Sequence, residues 1–254
     1  LIIAVTNQKG GVGKTTTAIN LSAALAFMGK STLLVDTDPQ ANSTISVVND
    51  PTKYEKSLYD VMVDGGNRIE EIIANSTIPG LEVAISKISM AKLEPALLGA
   101  IDSHYRLKDV LSHVKNKYDW IVIDTPPTLG MITLNALVAS DFILIPIQSS
   151  YLCLEGTDDL LETIEKVQKV ANPNLKIIGV LVTLHDKRTN ISKDVLARIK
   201  KVFGKQVFSE IISKSVKLEE SPAYKESIFT FAPNSVGAAQ YKHVVKELLK
   251  RAEK

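Results

Sequence analysis

Two periods organise the apolar positions of this chain. Short apolar runs at residues 1–6, 31–36, 80–85, 118–124, 141–146 and 175–183 predict strands. Between them, segments 18–27, 58–63, 105–114, 132–138 and 160–170 carry helical spacing, and 191–202 and 241–249 follow as amphipathic helices. Runs such as Trp120-Ile121-Val122-Ile123 and Phe142-Ile143-Leu144-Ile145 are apolar on both faces, as central parallel strands are. The alternation predicts an α/β fold, a doubly wound, mostly parallel sheet flanked by helices, with ligands at the carboxyl ends of its strands. No repeat, low-complexity segment or linker interrupts it, so residues 1–254 are expected to form a single domain.

The junction of the first strand and the first helix carries the strongest chemical signal: Lys9-Gly10-Gly11-Val12-Gly13-Lys14-Thr15-Thr16. A strand feeding a glycine loop feeding a helix is the context of a phosphate-binding loop. Glycines let successive N–H groups turn inward on phosphate oxygens, and the positive end of the helix adds to that field. Lys14 would neutralise the β- and γ-phosphates of a nucleotide, and the Thr15 hydroxyl would ligate Mg²⁺. The general G-x-x-x-x-G-K-[ST] pattern fails at one place, where Gln8 stands for its first glycine. The chain has instead a variant, K-G-G-x-G-K-T-T, with an additional lysine, Lys9.

Carboxylates close two of the predicted strands. Asp124 follows Ile121-Val122-Ile123 as a Walker B carboxylate would, holding Mg²⁺ through its water shell. Asp36 ends the second strand, and Asp38 follows in a loop that could close over the γ-phosphate, where it would orient the attacking water or hold a metal-bound water. Asp124-Thr125-Pro126-Pro127 would be a second loop at the same phosphate, stiffened by its prolines.

Composition narrows the class. Hydrophobic content of 45% and charged content of 23% are those of a soluble globular protein, and no signal peptide pattern precedes the first strand. One cysteine, Cys153, excludes an internal disulfide, fits a reducing cytoplasm and reads as a buried packing residue. His104, His113, His185 and His243 have no metal-ligand spacing and read as surface or structural. The net charge of +2 hides an asymmetry: residues 185–254 hold 15 Lys and Arg against 8 Asp and Glu, whereas 1–184 hold 15 against 20. A basic C-terminal third points to a polyanionic partner.

On these residues the chain resembles the ParA family of partition ATPases, within the deviant Walker A group of P-loop NTPases that includes MinD and the nitrogenase iron protein. The resemblance rests on Lys9–Thr16, Asp36-Thr37-Asp38-Pro39-Gln40 with Ala41-Asn42-Ser43-Thr44, Asp124–Pro127, Leu154-Glu155-Gly156 and Val216-Lys217-Leu218-Glu219-Glu220-Ser221-Pro222. The ordered set points to the ParA/Soj branch. The resemblance implies an ATP-bound homodimer with two nucleotides between the subunits, Lys9 reaching the partner's phosphates, Lys14 on its own, and Asp38 positioning water. Lys9 to Thr16, including Gly10, Gly11, Val12 and Gly13, would cradle ATP, with Thr15 and Asp124 serving Mg²⁺. It further implies non-specific binding of double-stranded DNA, slow hydrolysis stimulated by a ParB-type partner, and a cytoplasmic, nucleoid-associated protein that segregates a chromosome or plasmid. Arg188 resembles a family position linked to DNA contact, and Lys214 and Lys217 fall where the family often has arginines. Ser213 departs from a family proline beside the nucleotide base, which leaves the adenine contacts unassigned.

The helix-turn-helix of larger plasmid ParA proteins does not precede the first strand, so direct promoter repression is not expected. Two rivals share the site. A MinD-like ATPase needs a C-terminal membrane anchor, whereas Val244, Val245, Leu248 and Leu249 read as a face packed on the core, with no anchor expected. A ParA-like ATPase that positions a protein cargo on the nucleoid stays open. An iron–sulfur reductase would need two ligand cysteines per subunit, and only Cys153 exists.

Overall fold

The computed structural model describes residues 1–64, 68–150 and 156–253. The apolar runs become β1 (Ile2–Val5), β2 (Thr32–Asp36), β4 (Leu81–Ala84), β5 (Trp120–Asp124), β6 (Phe142–Gln148) and β7 (Lys176–Thr183), and a further strand, β3 (Ile73–Asn75), joins them. The seven strands form one sheet in the order β3-β4-β2-β5-β1-β6-β7. Every pairing is parallel except β3 on β4. β1, β2 and β5 are buried along their whole length, which is why their sequences lack a polar face. The edge strand β3 is a correction to the six strands read from sequence: three residues are too few to show a period.

Helices α1 (Lys14–Phe27), α2 (Asn42–Val47), α3 (Leu58–Asp64), α4 (Leu93–Ala96), α5 (Arg106–Ser112), α6 (Met131–Ala139), α7 (Thr157–Val170), α8 (Asn190–Phe203), α9 (Val216–Glu220), α10 (Ile228–Phe231) and α11 (Val236–Ala252) connect and cover the strands. α1 is buried almost all round, from Thr17 to Ala26, between the sheet and α11. On α11, Val244, Val245 and Leu248 are fully buried and Leu249 packs half-buried on the core, as the sequence pattern predicts. No helix among the described residues is long and apolar enough to cross a membrane.

Chain direction places the site. β1 pairs with β5 on one side and β6 on the other, and the chain leaves its carboxyl end straight into the glycine loop and α1. A doubly wound sheet binds ligands where its winding reverses, which here is the β1 edge. β2 and β5 are neighbours with Asp36 directly opposite Asp124, so both predicted carboxylate loops open beside that edge. Cys153, Leu154 and Glu155, singled out from sequence, lie outside the described residues.

Candidate functional site

Positive φ angles at Gly11 (73°) and Gly13 (81°) shape the loop, and both belong to the left-handed region where a Cβ is strained. Added Cβ atoms at Gly10 and Gly11 would meet nothing within 4 Å, so the mouth of the loop is open. Its back is fixed: Val12 is buried, and its carbonyl accepts a 2.8 Å bond from the Thr183 hydroxyl at the end of β7. Asn7 receives the Lys9 amide at 3.0 Å and donates to the Pro146 carbonyl on β6 at 2.8 Å. Gln8, where the general pattern has glycine, donates to the Gly156 carbonyl at 2.6 Å and so ties the loop to the start of α7. Gly156 has a φ of 75° and no room for a Cβ, because the Gln8 amide fills that space.

Lys14 is only 7% exposed and donates to the Lys9 carbonyl across the loop at 2.9 Å. Burial lowers its pKa, and the negative charges of Asp124 and Asp38 pull it back up. A buried ammonium held by one carbonyl and two nearby carboxylates has the charge and free valence to take an anionic oxygen. Asp38 is 7% exposed, with Oδ1 receiving the Gln40 amide at 2.9 Å in a tight turn that leads to Ala41 at a φ of 53°.

Asp124 is fully buried. Burial raises its pKa to about 6, while the Ser43 and Thr15 hydroxyls oppose the rise. Ser43 donates to Oδ2 at 2.7 Å, whereas Oδ1 is buried with no hydrogen-bond partner. An orphaned carboxylate oxygen at a site of this kind fits a hydrated cation. Thr15, Asp124 and the open loop therefore suit Mg²⁺ with a nucleotide phosphate. Asp36 plays a different part: its oxygens accept from the Thr44 amide at 2.8 Å, the Thr44 hydroxyl at 2.7 Å and the Asp38 amide at 3.1 Å, which fixes the loop that carries Asp38.

Above the buried Asp36 and Asp124, a cleft of about 490 Å³ is lined by Gly10, Gly11, Gly13, Lys14, Thr15, Thr16 and Asp38. Gln40, Asn42, Pro127, Leu184 and Glu219 complete it. Gln40, Asn42 and Glu219 stand inside the sequence motifs but carry no side-chain chemistry that spacing alone assigns. Leu184 adopts a φ of 50°, which a leucine does not announce in sequence.

Beyond Leu184 a second cleft opens, of about 420 Å³, and it brings together two of the three cations that the sequence points to, Arg188 and Lys214. Arg188 is 87% exposed and forms a two-pronged pair with Asp186, at 3.0 and 2.8 Å, which holds the Asp186 carboxyl far below the usual range. Lys217 lies outside that cleft, 3.1 Å from Glu220 and 5.4 Å above the Phe231 ring. Exposed pairs such as these are worth little and exchange readily for phosphate.

Residues 1–177 match a family model described as AAA domain. The chain is 45% identical over 247 residues to sporulation initiation inhibitor protein Soj of Bacillus subtilis, with 97% of each chain covered. It is 39% identical over 250 residues to chromosome partitioning protein ParA of Myxococcus xanthus, covering 98% of this chain and 88% of that one. Among solved structures it is similar to a cobyrinic acid a,c-diamide synthase from Mycobacterium smegmatis with a bound ATP analogue and magnesium. That likeness has a TM-score of 0.88 and 34% identity, and covers 100% of this chain and 96% of the other.

Proposed function

Because the chain belongs to the ParA/Soj family of partition ATPases, we propose that it hydrolyses ATP, with magnesium, to drive a DNA-partition cycle. In this cycle the ATP-bound form is a homodimer that binds double-stranded DNA without sequence preference. A ParB-type partner stimulates hydrolysis and releases it, so that a chromosome or plasmid is moved across the nucleoid in the cytoplasm. Residues 1–254 act as one ATPase domain.

The observation that carries this reading is the convergence on one cleft of Lys14, Thr15 and Asp38, with Asp124 buried beneath it beside Lys14 and Thr15, and with a basic cleft that begins one residue past its Leu184 lining, at His185. Backbone N–H groups from Gly10 to Thr16 hold the phosphates, and Lys14 neutralises them. Thr15 and, through water, Asp124 would hold magnesium, which would supply charge neutralisation at the phosphate oxygens. Asp38, fixed by the Gln40 amide, keeps one carboxylate oxygen for the attacking water. Lys9 reaches the partner subunit's nucleotide. Burial of an ammonium is costly without an anion, so that contact forms only with nucleotide present. Arg188, Lys214 and Lys217 meet DNA phosphates, where lysine replaces arginine with little penalty because no base is read.

Gel filtration with ATP, with ADP and without nucleotide tests the reading. The wild type is expected to dimerise with ATP alone, Lys14→Ala to stay monomeric, and Asp38→Ala to give a persistent ATP dimer with turnover reduced on the order of 10²- to 10⁴-fold. An Asp38→Ala protein that remains monomeric in saturating Mg–ATP would contradict it.

A further inference from the structure

The basic cleft has a histidine in its floor. His185 is 5% exposed and lines the cleft with Asp186, Lys187, Arg188, Ser213 and Lys214. Its backbone is held on both sides, the amide donating to the Ile212 carbonyl at 3.1 Å and the carbonyl accepting from the Lys214 amide at 3.1 Å. Ser213, opposite it, is spoken for: its amide and hydroxyl bond the Gln240 side chain at 3.1 and 3.0 Å. The ring of His185 is therefore set in a rigid frame.

Hydrogen bonding fixes its tautomer. The Ser149 hydroxyl donates to the Ser192 carbonyl at 3.0 Å, which uses its one proton. The 3.0 Å contact between Ser149 Oγ and His185 Nδ1 must then be donated by Nδ1–H. In the neutral ring Nε2 is left as a bare acceptor. Among the described residues, the charged groups that line the cleft with the ring are Asp186, Lys187, Arg188 and Lys214, and Ser149, just past β6, and Ser192 of α8 bring their hydroxyls beside it. Asp186 is engaged by Arg188, so it offers the ring little compensation. Burial and the Lys187 charge lower the His185 pKa from its ordinary value, against a smaller pull from Asp186. The fold of the free protein thus favours the neutral ring, its Nδ1 committed to Ser149, in the lining of a cleft that holds three cations.

We propose that His185 is a proton-linked phosphate contact: it takes a second proton on Nε2 when a phosphate of the DNA backbone enters the cleft, and DNA binding is therefore coupled to proton uptake. The inference rests on the DNA-binding reading given above. A phosphate replaces the repulsion of neighbouring cations with attraction, which raises the bound-state pKa above the free one. The sign follows: affinity is greatest below the free-state pKa and falls as pH rises through the bound-state value. Each subunit can contribute up to about tenfold per pH unit within that window.

The test is binding of the ATP-loaded protein to a duplex oligonucleotide by fluorescence anisotropy, from pH 6 to 8.5 at fixed ionic strength, for wild type and His185→Gln. Wild-type affinity is expected to fall about three- to tenfold across the range, and the variant to lose most of that dependence. Proton NMR of the wild type, needing no variant to fold, is expected to show the His185 ring titrating at higher pH when duplex is added. Equal pH slopes in the two proteins, or an unmoved ring titration, would overturn the inference and leave DNA binding standing. No wild-type binding at any pH would overturn both. If the affinity of a fluorescent ATP analogue showed the same pH dependence and lost it in the variant, the ring would belong to the nucleotide and the proposal would fail.

Discussion

Asp36 and Asp124 face each other across β2 and β5 with no solvent between the strands. Burial raises both pKa values, and the Asp124 charge adds to the rise at Asp36, which is pushed up to about 8 against the pull of the Thr44 and Asp38 bonds. The folded chain therefore keeps protons that the unfolded chain has released by about pH 4. A raised folded-state pKa means that this contribution to stability is complete below the unfolded value and disappears as pH climbs through the folded values. The unfolding free energy of the nucleotide-free protein, measured by urea titration, is thus expected to drop between pH 5 and 8, by up to about 1.4 kcal/mol per pH unit for each excess proton, with a lower midpoint. Saturating Mg–nucleotide should offset the drop, since the cation favours ionised Asp124. A flat nucleotide-free profile would show the two carboxylates to be ionised together.

At the scale of elements, β7 and α11 are locked by one side chain. The Arg251 guanidinium lies 4.2 Å over the Phe208 ring and donates to the carbonyls of Ile178, Gln206 and Val207, with Glu247 completing its shell at 2.6 Å. Gly179 makes room for it beside the β6–β7 register shift. A Cβ there would meet the guanidinium, the Phe208 ring edge at 2.6 Å and the Gln206 carbonyl at 2.7 Å. Gly179→Ala is expected to cost about 1–3 kcal/mol by overpacking, seen as a Tm about 2–12 °C lower. The sequence carried six of the seven strands, the helices of seven residues or more and the P-loop, because each depends on local period or spacing, and it missed the shorter helices α2, α4, α9 and α10. Legibility ended where tertiary contacts decide. β3 and α10 are too short for a period; the positive φ of Leu184 has no signal in its residue type; and Asp36 is set apart from Asp38 by the bonds that Thr44 and the Asp38 amide make to it. Arg188 and Lys214 stand out singly in the sequence, and only the β7 and 213–216 backbones bring them to one cleft.

Across the whole molecule, charge is divided by position in the chain: the first 184 residues are net acidic and the remaining 70 net basic. The division matters because the nucleotide cleft and the basic cleft meet at Leu184 and His185, so an ATP-dependent dimer would present two basic flanks in a fixed relation. Polyanion binding of this kind is driven by counterion release, with a log–log salt slope of about −0.9 per phosphate neutralised. If the dimer covers on the order of 4–6 phosphates, the slope is roughly −4 to −5. Arg188→Glu with Lys217→Glu reverses two exposed charges per subunit, neither of which touches a buried group. That variant is expected to keep its ATP-dependent dimer in gel filtration, while its DNA affinity falls and its salt slope becomes shallower by about one for each phosphate it no longer neutralises. Titrations at several salt concentrations separate the outcomes. A weaker dimer would tie these residues to subunit contact, and an unchanged slope would move the DNA face to another part of the basic third.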